Sequence, residues 1–318
     1  MPNTLDTAIA WHYPGGTKDK LAYPYTFVFT GDINAQWTRD STDQLLSLLP
    51  YAVADASLNT LIAGLVNMQA DQIAAYPFAN AYRSPARSGL VPGENDWTKG
   101  DTRTVFAAKF EIDSLAAFFK LSTLLVQLQA PTFDSEQRLT DATVRFVRTA
   151  NTPTESSFGG GRGNPIRHTG MVRTLFRPSD DSVIFPFLVP ANAMLAVELR
   201  ALADMLDKTG DTTIASRSRR LAEDITRGIY EFGTAEHPKY GHVFAYEVDG
   251  YGSRLLMDDA NVPSLLALPY LGFVNATDPI YQNTRRKLLS PGNPWYFSNG
   301  TSGLLNGIGS PHTGFRKV

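Results

Sequence analysis

The 318-residue chain contains no cysteine, which excludes disulfide bonds, a thiolate nucleophile and any cysteine-ligated zinc or iron–sulfur site. It also lacks a charge excess, because 29 lysines and arginines face 31 aspartates and glutamates. A broadly basic nucleic-acid footprint is therefore not expected. No apolar run approaches the roughly 20 residues that cross a bilayer, so membrane insertion is not expected either. Met1-Pro2-Asn3-Thr4-Leu5-Asp6 has no basic region followed by an apolar stretch. As written, the chain is expected to carry no secretory leader and to stay in the cytoplasm. The histidines, His12, His168, His237, His242 and His312, are dispersed without His-x-x-x-His or His-Glu-x-x-His spacing, and no zinc site is expected. No Gly-x-Ser-x-Gly elbow supports serine hydrolysis.

What is present is enough apolar material, 43% of residues, for a substantial core. No linker divides the chain, so a single domain over 1–318 is expected. Apolar spacing near 3.6 residues predicts helices over 42–53, 58–75, 111–128, 134–148, 190–209, 213–232, 258–270 and 279–289. Only 25–29, 182–187 and 242–247 read as strands. The expected fold class is all-α. Several connections are long and rich in Trp, Asp, Arg and Gly: 31–43, 80–109, 151–181, 246–259 and 291–312. Long loops on a helical scaffold commonly handle ligands. The glycine run from Gly159 to Gly163 reads as a flexible loop, since no Lys-Ser/Thr follows it as a phosphate loop requires.

Three of these loops cluster acidic side chains. The first carries Asp32, Trp37, Arg39, Asp40 and Ser41. Asp40 or Ser41 could cap the following helix. A cap leaves Trp37 and Arg39 unexplained, whereas an indole stacks on a sugar face while Asp and Arg bond its hydroxyls. The second is Arg177-Pro178-Ser179-Asp180-Asp181-Ser182, which reads equally as a solvated turn or as two carboxyls in different surroundings, one able to keep a proton. The third runs from Tyr246-Glu247-Val248-Asp249 to Asp258-Asp259-Ala260-Asn261, where Asp258 or Asp259 could cap a helix. The EF-hand pattern is missing there, so calcium is not expected. Separated carboxylates beside Trp, Tyr and Arg fit glycoside hydrolysis, which needs an acid for the leaving oxygen and a second carboxylate for the nucleophile.

Seven colinear blocks resemble the metal-independent exo-α-1,6-mannosidases of glycoside hydrolase family 125, in wording closest to fungal members. They are Thr30-Gly31-Asp32-Ile33 with Trp37-x-Arg39-Asp40-Ser41; Tyr76-Pro77-Phe78-Ala79-Asn80-Ala81; and Lys109-Phe110-Glu111-Ile112-Asp113-Ser114. Phe176-Arg177-Pro178-Ser179-Asp180-Asp181, Tyr246-Glu247-Val248-Asp249-Gly250, the stretch from Leu255 to Ser264, and Gly307-Ile308-Gly309-Ser310-Pro311-His312 complete the set. The resemblance implies an (α/α)6 barrel whose loops bind a terminal mannose of an oligosaccharide or N-glycan. It implies inverting hydrolysis of α-1,6 bonds with no cofactor or metal. The general acid it implies is Asp181 or Asp180, with the preference on Asp181. For the mannose pocket it implies Asp32, Trp37, Arg39, Asp40, Arg177, Asp258, Asp259 and His312.

The departures from the family pattern set further expectations. The family's base is a glutamate in a His-Glu-Ser-type block after the Gly-Ile-Gly-Ser-Pro-His motif, and no His-Glu-Ser occurs in these 318 residues. Members also usually carry a helix before the Pro2-Asn3-Thr4-Leu5-Asp6 stretch. A member shortened at both ends is expected, with an incomplete barrel. A positioned acid or base typically contributes about 10²–10⁴-fold, so mannoside binding with much reduced turnover is expected. The alternative is a non-catalytic mannoside-binding remnant or an incomplete reading frame. Asn275-Ala276-Thr277 and Asn299-Gly300-Thr301 are glycosylation sequons.

Overall fold

The computed structural model describes residues 2–16, 23–91, 103–128, 163–298 and 306–311. The expected helix 134–148 and the glycines Gly159 to Gly161 lie outside them. The chain packs as two compact units: Met1–Phe110 with Ser114–Thr152 and Ala201–Ser218, and Glu111–Asp113 with Pro153–Arg200 and Arg219–Val318.

In the first unit, helix α1 (Pro2–Ala8) leads into an antiparallel pair, β1 (Ile9–Tyr13) and β2 (Tyr25–Val28). Every residue of β2 is buried. Its Thr26 hydroxyl donates to the Leu61 carbonyl at 2.6 Å. That carbonyl belongs to α4 (Ala56–Ala75), which starts where the Asp55 carboxylate accepts from the Ser57 and Leu58 amides. This is an N-cap that satisfies two donors with no helical partner. Gly64 of α4 meets Thr26: a β-carbon there would stand 2.4 Å from the Thr26 hydroxyl oxygen. A three-stranded antiparallel sheet, β3 (Ala35–Trp37), β4 (Ala81–Arg83) and β5 (Val105–Ala107), has Ala35, Ala81, Phe106 and Ala107 as its core.

Two corrections fall here. The helix expected at 42–53 is two helices, α2 (Thr38–Leu46) and α3 (Leu49–Ala52), and Pro50 opens the second instead of ending the first. Proline suits a helix's first turn because its missing N–H has no helical partner there. Asp40 and Ser41 both lie inside α2, whose N-cap position is Trp37 with no side-chain cap. Neither therefore caps the helix.

The helices α5 (Ile112–Leu128), α6 (Val189–Thr209) and α7 (Thr212–Phe232) match expectation to within a residue at each end, and residues of all three contribute to both units. In the second unit Asn192 of α6 fastens the incoming segment 163–175. It accepts from the Val172 amide at 2.8 Å and donates to the Val172 and Leu188 carbonyls. A short sheet has β9 (Glu247–Val248) between β6 (Phe187–Leu188) and β10 (Arg254–Leu255), and β7 (Thr234–His237) pairs with β8 (Gly241–Phe244). Helix α8 (Pro279–Leu288) is capped by Asp278 and ends on Arg285, Arg286 and Lys287, in keeping with its dipole. A last pair, β11 (Tyr296–Phe297) with β12 (Gly307–Ile308), closes the described residues.

The connections carry more strand than an all-α reading expects. The expected strand 182–187 reduces to β6 and a lone bridge between Phe176 and Ser182. No helix forms over 258–270. Pro263 and Pro269 each lack an N–H, and the Asp258 carboxylate takes the Leu265 and Leu266 amides across seven and eight residues. No described helix is long and apolar enough to cross a membrane.

Candidate active site

The loop after Leu175 is a tight reversal built by its own backbone. The Asp180 amide donates to the Arg177 carbonyl at 2.9 Å, and the Arg177 amide donates to the Asp181 carbonyl at 2.8 Å. Asp180 is left-handed at φ 65°, a conformation in which Asp is among the better-tolerated side chains. Asp181 accepts the Ser179 hydroxyl at 2.8 Å. The two adjacent aspartates thus differ in backbone conformation.

Arg177 is tied down from beneath. Its Nε donates to Glu247 Oε1 at 2.5 Å, and the two side chains are 7% and 0% exposed. The other oxygen of Glu247 accepts the Ile184 and Phe185 amides at 2.9 and 3.0 Å. The guanidinium also lies 5.5 Å from the centre of the Tyr246 ring. Burial, the largest single influence, lowers the arginine's pKa, but Glu247 together with Tyr246 and Asp259 outweighs it, and the net shift is upward. Arg177 Nη2 is buried with no hydrogen-bond partner among the described residues.

The Tyr246 hydroxyl donates to Asp259 Oδ2 at 2.8 Å, and burial with the neighbouring Asp259 and Asp258 charges raises its pKa well above the phenol value. Asp259 Oδ1 accepts from the Asn261 amide and side chain, and Asn261 Nδ2 also reaches the Ser310 hydroxyl at 2.9 Å. Asp258 is fully buried, and its backbone is paired on both sides with the Asn293 side chain. Burial pushes its carboxyl up to about 8, against the pull of the Leu265 and Leu266 amides. Lys287, also buried, donates to the Leu256 and Gly292 carbonyls and so secures the strand entering this loop. Asp249 is a turn residue whose carboxylate accepts the Tyr251 and Ser253 amides.

The first unit holds Asp32, Trp37, Arg39 and Asp40. Trp37 packs edge-on to Phe106, ring centres 5.3 Å apart. Arg39 Nη2 contacts Asp40 Oδ2 at 3.3 Å, with the arginine 14% and the aspartate 39% exposed. Beneath them is a buried polar network: Gln69 Nε2 donates to the Thr38 carbonyl and the Ser41 and Thr42 hydroxyls. The Thr38 amide donates to the Asn80 carbonyl, and the Asn80 side chain accepts the Lys109 amide. Asp32 is exposed in the turn before β3.

The structure thus brings Arg177, Asp180 and Asp181 onto one loop and links Arg177 through Tyr246 to Asp259, with Asp258 adjacent. It places Trp37, Arg39 and Asp40 together at the start of α2. His312 lies outside the described residues. Glu247 and Tyr246 join the site as supports although the sequence marks neither as a pocket residue. A buried glutamate requires a cation, but only the fold shows which, 70 residues away. Among the described residues no group of three His, Asp or Glu side chains is placed to hold a metal ion.

Comparison with known proteins agrees across nearly the whole chain. The family described as metal-independent alpha-mannosidase (GH125) matches residues 1–130 and 123–318. The meiotically up-regulated gene 157 protein of Schizosaccharomyces pombe is 42% identical over 351 aligned positions, covering 100% of this chain and 67% of its own. A metal-independent α-mannosidase from Streptococcus pneumoniae, solved in a non-productive complex with α-1,6-mannobiose, superposes with a TM-score of 0.84 at 31% identity. That match covers 99% of this chain and 75% of the other. A bacterial glucoamylase complexed with acarbose shares only the fold, with a TM-score of 0.51 at 13% identity over 79% of this chain and 32% of its own. The chain belongs to glycoside hydrolase family 125, the metal-independent α-mannosidases.

Proposed function

We propose that the protein binds the terminal mannose of an α-1,6-linked oligosaccharide and cleaves that bond with inversion. The observation that carries the reading is the likeness, over 99% of the chain, to a mannosidase holding α-1,6-mannobiose. The fold proposed with it is the (α/α)6 barrel, as one domain over 1–318. Of the residues proposed to meet the sugar, the first unit holds Trp37, as an apolar face for the ring, with Arg39, Asp40 and Asp32 for hydroxyls, and the second unit holds Asp258, Asp259 and His312. Arg177 Nη2, buried and without a hydrogen-bond partner among the described residues, is a donor available for a sugar oxygen. An unsatisfied buried donor costs about 1–3 kcal/mol, and a bound hydroxyl removes that cost.

Asp181 is the proposed general acid, with Asp180 as the alternative. An inverting enzyme places the two carboxyls roughly 6.5–9.5 Å apart with a water between.

Incubation with α-1,6-mannobiose, followed by proton NMR of the released sugar, tests the chemistry. β-Mannose should form first, and Asp181→Asn should lower kcat by about 10²-fold or more. Asp180→Gly keeps the left-handed turn while removing the carboxylate, so it should retain most activity if Asp181 is the acid. Early α-mannose, or an unimpaired Asp181→Asn, rejects the assignment.

A further inference from the structure

Of the two glycosylation sequons, Asn299-Gly300-Thr301 lies outside the described residues, and Asn275-Ala276-Thr277 forms the turn that leads into α8 in the second unit. All three residues of the second sequon are exposed. The Asn275 carbonyl accepts the Asp278 amide at 2.9 Å, which closes the turn. Gln282 of α8 holds its middle by donating to the Ala276 carbonyl. The Asn275 side chain is engaged through its oxygen. Oδ1 accepts the Thr277 amide at 2.9 Å and the Thr277 hydroxyl at 2.8 Å. Nδ2, a donor of two protons, makes no hydrogen bond among the described residues. Both Oδ1 bonds span two residues, a local Asx turn, so they can form without the rest of the fold.

We propose that Asn275 is N-glycosylated, with a polyprenyl-pyrophosphate-linked oligosaccharide as the donor. Nδ2 attacks the anomeric carbon of the reducing-end sugar and gives up one proton as the new carbon–nitrogen bond forms. The bond from that carbon to the pyrophosphate oxygen breaks, and the lipid pyrophosphate leaves with the electron pair. Loss of an Nδ2 proton puts negative charge on Oδ1, and the Thr277 hydroxyl donating there favours that form. A bulky, solvated glycan needs a surface position, which the three exposed residues supply. Aromatic surface adjoins the attachment point: Phe273, two positions earlier, is half-buried and stacks on Tyr230, ring centres 6.0 Å apart at 20°, and Tyr230 is 42% exposed. The transfer takes place in the lumen of the secretory pathway, so the proposal puts the chain there and not in the cytoplasm expected from its first residues. It uses none of the residues proposed for the mannose pocket, and it stands or falls apart from the mannosidase reading.

The test is glycopeptide mapping of the full-length protein purified from its own cells. Peptide N-glycosidase F in heavy-oxygen water converts a glycosylated asparagine to a labelled aspartate. The tryptic peptide from Leu255 to Arg285 should carry that label at position 275. Thr277→Ala should abolish the label, while Thr277→Ser, which keeps the hydroxyl, should retain it. Asn275→Gln should run faster on a gel by one glycan, with its circular dichroism unchanged because the position is exposed. An unlabelled Asn275 in the native protein, or a label that survives Thr277→Ala, would overturn the proposal. A form given a secretory leader then separates the two causes of failure. Labelling only with the leader means the compartment is wrong, and no labelling even then means the sequon is not an acceptor.

Discussion

Replacing Glu247 with Gln removes the negative partner of a guanidinium that burial has cut off from water. The pair has side-chain exposures of 7% and 0%, so solvent screening offers little relief, and losing one partner of such a pair costs about 3–5 kcal/mol. Urea denaturation should show Glu247→Gln destabilised by about 3 kcal/mol, and Glu247→Ala by more, because the Ile184 and Phe185 amides also lose their acceptor. A loss below about 1 kcal/mol would mean that Arg177 finds another counter-charge. Asp258 makes a pH prediction. Its folded carboxyl sits at about 8 through burial, above the unfolded value near 4. A raised carboxyl contributes stability fully present below about pH 4 and lost as pH rises through about 8. Melting temperature should therefore fall between pH 5 and pH 8, less steeply in Asp258→Asn, and an identical slope in both proteins would refute this role. The sequence shows Asp258 and Glu247 as acidic loop residues but not their burial, because burial is decided by segments distant in the chain, such as Asn293 for Asp258 and Arg177 for Glu247.

At the scale of elements, α4 offers two independent tests. Asp55→Ala removes a cap that accepts two amides and should cost about 1 kcal/mol in thermal or chemical unfolding. Gly64→Ala puts a methyl against the Thr26 hydroxyl and backbone, within 2.4 and 2.9 Å. Overpacking of that kind costs about 1–3 kcal/mol, outweighing the gain alanine gives an exposed helix position. A stabilised Gly64→Ala would show that β2 yields. Helices α4 to α8 were legible because their apolar spacing runs uninterrupted for two turns or more. The segment 258–270 has similar spacing, yet its Leu265 and Leu266 amides are taken by the Asp258 side chain, a competition that periodicity does not register. The short strands β3, β4 and β5 escaped notice for a related reason. Three residues are too few for alternation to show, and their pairing partners are separated by dozens of positions.

At the scale of the whole molecule, periodicity gave a helical scaffold without its closure or its ligand. The family blocks, spread from Thr30 to His312, carried the reading of the site, and the match over residues 1–130 and 123–318 agrees with them. The central claim is that this chain holds a terminal mannose, and a binding isotherm tests it without depending on turnover. Titration calorimetry of the intact chain with α-1,6-mannobiose should give saturable binding, preserved in Asp181→Asn and weakened at least about tenfold in Arg39→Ala. A folded chain that takes up no disaccharide, or one whose affinity is the same with and without the Arg39 guanidinium, would contradict it.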